Sequence, residues 1–434
     1  MDAESYDQFH LLRKGELMEK TICFACIEDS YLKEIIKTEG TPLKCSVCDE
    51  DGDNAITVKD LGKLMEPIMR EHFSLGESIR MFGEEEDWWE PDGEPISSIV
   101  QELLGQYFDF EDEIVDAVIE AEDCWPPDGD EAFWDETSLY VQKRIKPHRY
   151  NAEWESALYE LKHTRRFFSS AARNLFDELF DGIEDLRVQS ADSLLPIIRN
   201  LPAGSKLFRA RIFKSKSMLK DIHRNPFDHV GPPPSGHAQP GRMNPEGVAV
   251  FYGALEEETC LAETRPALGD NIAIITLETT EPLRILDFSL LKEIRHGKAL
   301  SYFQSDFTAQ IERVAFMQQL HRRISQPIVP GNESDYLITQ ILSEYLAHVY
   351  HEPLDGILFN STQYTKGTNM VLFANTNIIN DSSVHAFRLS YIQDSIRFFS
   401  TYSIEYKHHE LNVLVKDDDE LFAYSDFQEE LDDQ

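Results

Sequence analysis

The sequence predicts an α+β protein in which a small metal-binding segment and a mostly helical domain precede a domain of mixed strands and helices. Three features predict it. Two C-x-x-C pairs stand near the start; apolar residues recur at three- and four-residue steps from about Val58 to Asn200; beyond that, short β-branched runs alternate with single helices. The expected boundaries are residues 1–60 for the cysteine segment, 61–199 for the helical domain, 200–380 for the mixed domain and 381–434 for further strands and an acidic tail. At 434 residues the chain exceeds what one core usually fills.

Cys23, Cys26, Cys45 and Cys48 follow the spacing C-x2-C-x18-C-x2-C. Each knuckle aims two thiolates at one point, and two knuckles complete the tetrahedral sulfur shell of a closed structural Zn²⁺ site. No ligand position is left open, so the zinc is expected to hold together a segment too small for its own core. Asp49, Asp51 and Asp53 then alternate as in a calcium loop. Asn54 stands where that loop needs glycine, and Asp60 where it needs a bidentate glutamate, so a solvated turn is expected.

The runs LGKLMEPIM, SSIVQELLGQYF, EIVDAVIEA and ESALYELKHTRRFFSSAARNLFDELF carry the helical pattern, separated by breaks such as EPDGEP and CWPPDGD. The acidic run GEEEDWWEPDGEP reads as a solvated loop. After Pro202 and Gly204, LFRARIF, VAVFYG, NIAIITLE, DGILFNS and GTNMVLF read as strands. EEETCLAET opens a helix, and the Tyr336 to Val349 segment is a helix with a broad buried face. The long stretch NPFDHVGPPPSGHAQPGRMNPEG is expected to be a loop forming a lid or binding wall. VHAFRLSYIQDSIRFFSTYSIEYKHHELNVLV should add one or two strands before a mobile acidic tail.

The formal net charge is −38 at mean hydropathy −0.39. Residues 200–380 carry 17 Lys and Arg against 19 Asp and Glu, a net of −2, so nearly all the excess lies in the flanks. Acidic flanks repel nucleic-acid backbones, which disfavours a nuclease or DNA binder. No apolar run approaches the roughly 20 residues of a membrane span, and no leader pattern opens the chain, so a cytoplasmic location is expected.

Within the near-neutral part, Gly241 to Arg265 reads GRMNPEGVAVFYGALEEETCLAETR. A single βα turn would bring Arg242, Tyr252 and Glu263 to one sheet edge. Arg209, Arg211 and Arg242 would form a local positive pocket suited to phosphate oxygens, Tyr252 offers a flat stacking surface, and Glu263 offers a carboxylate. A single carboxylate fits cleavage of a bond whose leaving group is already cationic, such as the glycosidic bond to nicotinamide, where it stabilises an oxocarbenium-like state.

The runs FRAR, GRMNPEGVAVFYGALEEETCLAE and DGILFNSTQYTKGTNMVLF resemble the RES domain, named for arginine, glutamate and serine. That family includes toxins of toxin–antitoxin pairs that degrade NAD⁺, with a fold like the ADP-ribosyltransferases. The resemblance covers about Pro202 to Phe373. It implies catalytic roles for Glu263 and Arg242, and substrate contacts from Arg209, Arg242, Tyr252 and Ser361, with Arg211 the weaker match for the first arginine. It further implies NAD⁺ as substrate, inorganic phosphate as co-substrate if the enzyme is a phosphorylase rather than a glycohydrolase, and an antitoxin or regulatory protein as partner. The rival readings are an ADP-ribosyltransferase acting on a macromolecule and a non-catalytic nucleotide sensor. The chain departs from the family in having Met243 where tryptophan is common, GHAQPGR where a denser glycine turn is usual, and a longer spacer before DGILFN. The amino-terminal part resembles the zinc-bearing, HEPN-related segment that precedes some RES domains, through TICFACIEDSYLKEIIKTEGTPLKCSVC and the RRFFS helix. That segment contains no R-x4-H pair of the RNA-cleaving kind.

Overall fold

The computed structural model describes residues 19–81, 88–122, 132–189, 193–234, 236–297, 299–325, 336–374, 387–404, 412–415 and 421–424. The acidic run before Trp88, the break CWPPDGD and the last ten residues of the tail lie outside them. The chain divides into two compact units. One comprises Met1–Trp154, Asp185–Leu195 and Glu293–Gln318; the other comprises Glu155–Glu184, Pro196–Lys292 and Gln319–Gln434.

The first unit begins with a three-stranded antiparallel sheet in which Asn54–Thr57 pairs on either side with Thr21–Cys23 and Thr41–Pro42. The helix Ser30–Glu39 starts where the Asp29 carboxylate accepts the N–H groups of Tyr31 and Leu32, and it buries Leu32 and Ile36. The helix Val58–His72 is capped by Thr57 and turns Leu61, Met65 and Met69 inward. It crosses Glu111–Ala121 closely at Gly62, where a Cβ would lie 2.4 Å from the Ala117 carbonyl oxygen. Ile99, Val100, Leu103, Ile114 and Val118 complete the core. The stretch expected to be helical also carries short strands, among them Phe73–Leu75 and Leu139–Gln142, which pair antiparallel. They were hidden from periodicity because three or four residues give too few alternations to read.

The second unit is built on a nine-stranded sheet: β1 (Ile198–Leu201), β2 (Lys206–Phe213), β3 (Val250–Ala254), β4 (Asn271–Thr279), β5 (Leu283–Asp287), β6 (Gly356–Asn360), β7 (Thr368–Phe373), β8 (Leu389–Tyr391) and β9 (Arg397–Ser400). Its order is β1-β5-β6-β7-β3-β2-β4-β8, with β9 also on β4. Every pairing is antiparallel except β5 with β6. This is the mixed, largely antiparallel sheet expected. One face buries Leu207, Phe251, Ile275, Leu277, Met370 and Leu372 in a common core. Asn412–Val415 and Leu421–Tyr424 pair antiparallel in a separate two-stranded sheet.

Helix α1 (Glu257–Glu263) follows β3 directly, and α2 (Leu337–Glu344) runs into a π-helical turn, Tyr345–Val349, where a continuous helix was expected. The Glu256 carboxylate fixes α1 to β7, since one oxygen accepts both the Thr259 hydroxyl at 2.8 Å and the Thr368 N–H at 2.8 Å. The Pro/Gly-rich stretch contains a short helix at its start, Pro226–Val230, with the proline at its first turn, where its missing N–H costs nothing. Among the described residues no helix is long and apolar enough to cross a membrane.

Candidate functional site

Strand β3 lies between β2 and β7, so the side chains of all three strands converge where α1 crosses them. A cavity of about 420 Å³ opens there, lined by Arg209, Arg242, Tyr252, Glu263, Tyr336 and Asn369 among others. Four of the five residues assigned to substrate or catalysis from the sequence line it. The fifth, Ser361, reaches it through Glu263.

Glu263 ends α1 and is held from outside its own element. Ser361 Oγ donates to Glu263 Oε1 at 2.6 Å, and Asn369 Nδ2 donates to the same oxygen at 2.7 Å. Ser361 is itself fixed, because its Oγ accepts the N–H groups of Gln363 and Tyr364, each at 3.1 Å. Both donors converge on Oε1. Oε2 therefore has no protein donor among the described residues and is open to the cavity. The sequence did not single out Asn369. It sits second in β7, only 8% exposed, and the sequence carries no mark of that burial.

The Arg242 turn is shaped by its neighbours. Gly241 and Asn244 bridge across it, and the buried Asn244 amide donates to the carbonyls of Gln239 and Val248, each at 2.9 Å. Tyr252 Oη accepts the Met243 N–H and donates to Asn244 Oδ1, both at 2.9 Å. A Cβ on Gly241 would lie 2.8 Å from that hydroxyl, so the close approach requires glycine. Helix α2 clamps the turn from the other side: Thr339 Oγ1 donates to the Arg242 carbonyl at 2.6 Å, and Gln340 Nε2 donates to the Gly241 carbonyl at 2.8 Å. Tyr252 thus presents its ring to the cavity while its hydroxyl anchors the loop. Burial pushes that hydroxyl's pKa up to about 12.

Arg209 projects from the middle of β2. Its Nε donates to the Val230 carbonyl at 2.9 Å, its Nη1 donates to the Tyr252 carbonyl, and its guanidinium lies 5.4 Å from the centre of the Phe251 ring. Desolvation lowers its pKa to about 10, which still leaves it cationic at neutral pH. Burial also lowers the pKa of Arg242, whose Nη1 donates to the Ile324 carbonyl. Neither arginine has a carboxylate within salt-bridge distance among the described residues. Arg211 does not line this cavity; it is exposed, with Nη1 on the His229 carbonyl at 2.8 Å. Cys260 is a buried neighbour whose thiol burial raises to about 12, which favours the protonated thiol there. The cavity can therefore hold anionic groups on its arginines while presenting one carboxylate oxygen to a developing cation.

In the first unit the sulfur atoms of Cys23, Cys26, Cys45 and Cys48 lie within 4.8 Å of one another. Cys23 and Cys48 are 3.8 Å apart, and Cys26 and Cys45 are 3.9 Å apart. A tetrahedral zinc with bonds of about 2.3 Å separates its sulfurs by about 3.8 Å, so the cluster fits a small zinc-binding segment. The N–H groups of Cys23 and Val47 point at Cys45 Sγ at 3.3 and 3.4 Å, as donors do around metal-bound thiolates. Asp49 pairs with Lys44 at 2.7 Å and is exposed, as is Asp51, in keeping with a solvated turn.

Residues 206–392 match the family model of the RES domain, and a RES domain occupies that part of the chain. Among solved structures, the crystal structure of the M. tuberculosis MbcT-MbcA toxin-antitoxin complex is matched at 13% identity, over 46% of this chain and 86% of that one, with a TM-score of 0.24. No curated protein is matched.

Proposed function

We propose that the RES domain cleaves the bond between nicotinamide and ribose in NAD⁺. The observation that carries this reading is the split use of the Glu263 carboxylate, with Oε1 tied to Ser361 and Asn369 and Oε2 open to a cavity that also holds Arg209 and Arg242, neither of them in a salt bridge among the described residues. In NAD⁺ the pyridinium nitrogen is cationic, so nicotinamide leaves neutral with the bonding pair and needs no proton from a general acid. The ribose C1′ is left as an oxocarbenium-like centre, and Glu263 Oε2 supplies the opposing charge. Arg209 and Arg242 offer charged donors to the phosphates. An oxygen of inorganic phosphate or of water then bonds to C1′, and with water a proton is released to solvent. The fixed position of Glu263 matters because a carboxylate already in place costs no reorganisation as charge develops.

Zn²⁺ at Cys23, Cys26, Cys45 and Cys48 would be structural, since four thiolates leave no open coordination position. An NAD⁺ consumer must also be restrained in its host. An antitoxin-like or regulatory protein partner is therefore part of this proposal, as are a toxin's role and a cytoplasmic location.

The test is to supply purified protein with NAD⁺, with and without phosphate, and resolve the products beside Glu263→Gln and Arg242→Ala. Free nicotinamide is expected from the wild type, accompanied by ADP-ribose in water or its 1″-phosphate when phosphate attacks. A labelled macromolecular acceptor would replace this reading with an ADP-ribosyltransferase. Binding of NAD⁺ without turnover would replace it with a sensor.

A further inference from the structure

The segment 214–224 reads KSKSMLKDIHR and carries Lys214, Lys216, Lys220 and Arg224 against one acidic residue, Asp221, in a chain of net charge −38. All four cations are exposed, and none has an ion-pair partner among the described residues. Ser215 caps the helix Lys216–Arg224 by accepting the Met218 N–H at 3.1 Å. Beside that helix a groove of about 400 Å³ crosses the ends of β2, β4 and β9. Lys214 and Lys216 line it together with an apolar set, Phe213, Leu219, Phe398 and Phe399. The rings of Phe213 and Phe398 meet edge-on at 5.8 Å, yet Phe398 is still 38% exposed. β9 pairs with β4 alone among the described residues, so no strand of these covers its other edge. Crowded like charges and an exposed apolar floor are both relieved by one kind of partner, a segment that is acidic and carries large apolar side chains.

We propose that this groove docks the chain's own segment Ser425–Gln434, SDFQEELDDQ. That segment has five carboxylates, those of Asp426, Glu429, Glu430, Asp432 and Asp433, no Lys or Arg, and two large apolar residues, Phe427 and Leu431. Its carboxylates match the lysines, and Phe427 and Leu431 match the Phe213 and Phe398 floor. The chain also departs from the groove itself. Ser400 lines it, and Thr401 is still bonded to the turn before β4, accepting the Gly269 N–H at 2.8 Å and donating to the Asp270 carbonyl at 2.9 Å. The 20 residues from Glu405 to Tyr424 then tether the acidic segment to that spot. Exposed ion pairs bind weakly one at a time. A short tether raises the local concentration of the segment to the millimolar range, where several weak pairs and two apolar contacts suffice. A nucleic acid fits less well, because the acidic flanks repel its backbone. The docking is independent of the reaction proposed above.

The experiment treats the full chain with a zero-length carbodiimide crosslinker, which joins a lysine amine to a carboxylate in contact with it, and maps the joined peptides of the monomeric product. Lys214, Lys216 or Lys220 should be joined to Ser425–Gln434. Joining of that segment only to lysines elsewhere, or to these lysines only in a dimeric product, would overturn the proposal. If no joined peptide forms, rates of lysine acetylation decide it. A chain ending at Tyr424 should be acetylated at Lys214 and Lys216 at least about threefold faster than the full chain, and the full chain carrying Phe427→Ser and Leu431→Ser should fall between the two. Salt at about 1 M should bring the full chain up to the rates of the shortened one. Equal rates in the full and shortened chains at low salt would overturn the docking.

Discussion

The four cysteines near the start and the polar side chains around Glu263 are both convergent clusters, but the chain assembles them differently. The cysteines come from two knuckles within 26 residues, each of which fixes its own pair locally, and their sulfurs all lie within 4.8 Å of one another. The Glu263 site draws Arg209 from β2, Tyr252 from β3, Glu263 from α1, Ser361 from the residue after β6 and Asn369 from β7, with the last 160 positions beyond the first. A bound ion can organise the first cluster. Only the finished sheet organises the second, so its precision depends on hydrogen bonds such as those of Glu256 and Tyr252 that hold loop and helix to strands.

The largest effect that separates the two is expected at the cysteines. Cys45→Ser should abolish bound zinc, measured as one metal per chain in the wild type, and should raise hydrogen exchange throughout residues 19–57. Structural zinc contributes on the order of 10 kcal/mol in small domains, far more than the few buried apolar side chains of this segment could replace. Full protection without metal would remove the distinction between the clusters.

A smaller effect is expected from the donors to Glu263. Ser361→Ala and Asn369→Ala should each lower kcat on the order of tenfold to a hundredfold with little change in KM. Because both act on Oε1, the double variant should lose less than the product of the two. Fully independent losses would mean that the two donors do not share one task.

The smallest effect lies at the loop anchor. Tyr252→Phe removes the acceptor of the Met243 N–H and the donor to Asn244, which should cost about 1–2 kcal/mol in stability. The sign with pH follows from the raised hydroxyl pKa. The folded chain retains a proton that the unfolded chain gives up near pH 10, so this contribution is complete below that and is lost as pH rises towards 12. Alkaline melts of the wild type and Tyr252→Phe should therefore converge over that range.

The same contrast governs how much could be read from the chain. Cysteine spacing is local chemistry, and it located outright the four sulfurs that could hold a metal. Arg242, Tyr252 and Glu263 were legible because a strand followed at once by a helix brings near neighbours together, whereas Ser361 needed the resemblance to a family. Asn369 was missed because nothing in GTNMVLF distinguishes a polar residue that faces a carboxylate from one that faces water. The pairing of β5 with β6 joins residues about 70 positions apart, and it depends on which apolar faces meet in the folded sheet. The Pro/Gly stretch was expected to form a lid or binding wall; some of its residues line a cavity with Arg209, a position that emerges only once β2 and β3 are paired.

The central claim is that Glu263 Oε2 stabilises charge at the ribose. Its most direct measurement is nicotinamide release from NAD⁺ by Glu263→Gln, an isosteric change that keeps the side chain's length and removes its charge. The expected result is a loss of at least about a hundredfold in kcat with unchanged melting temperature and a KM within a few fold of wild type. Release at the wild-type rate by a folded Glu263→Gln protein would contradict it.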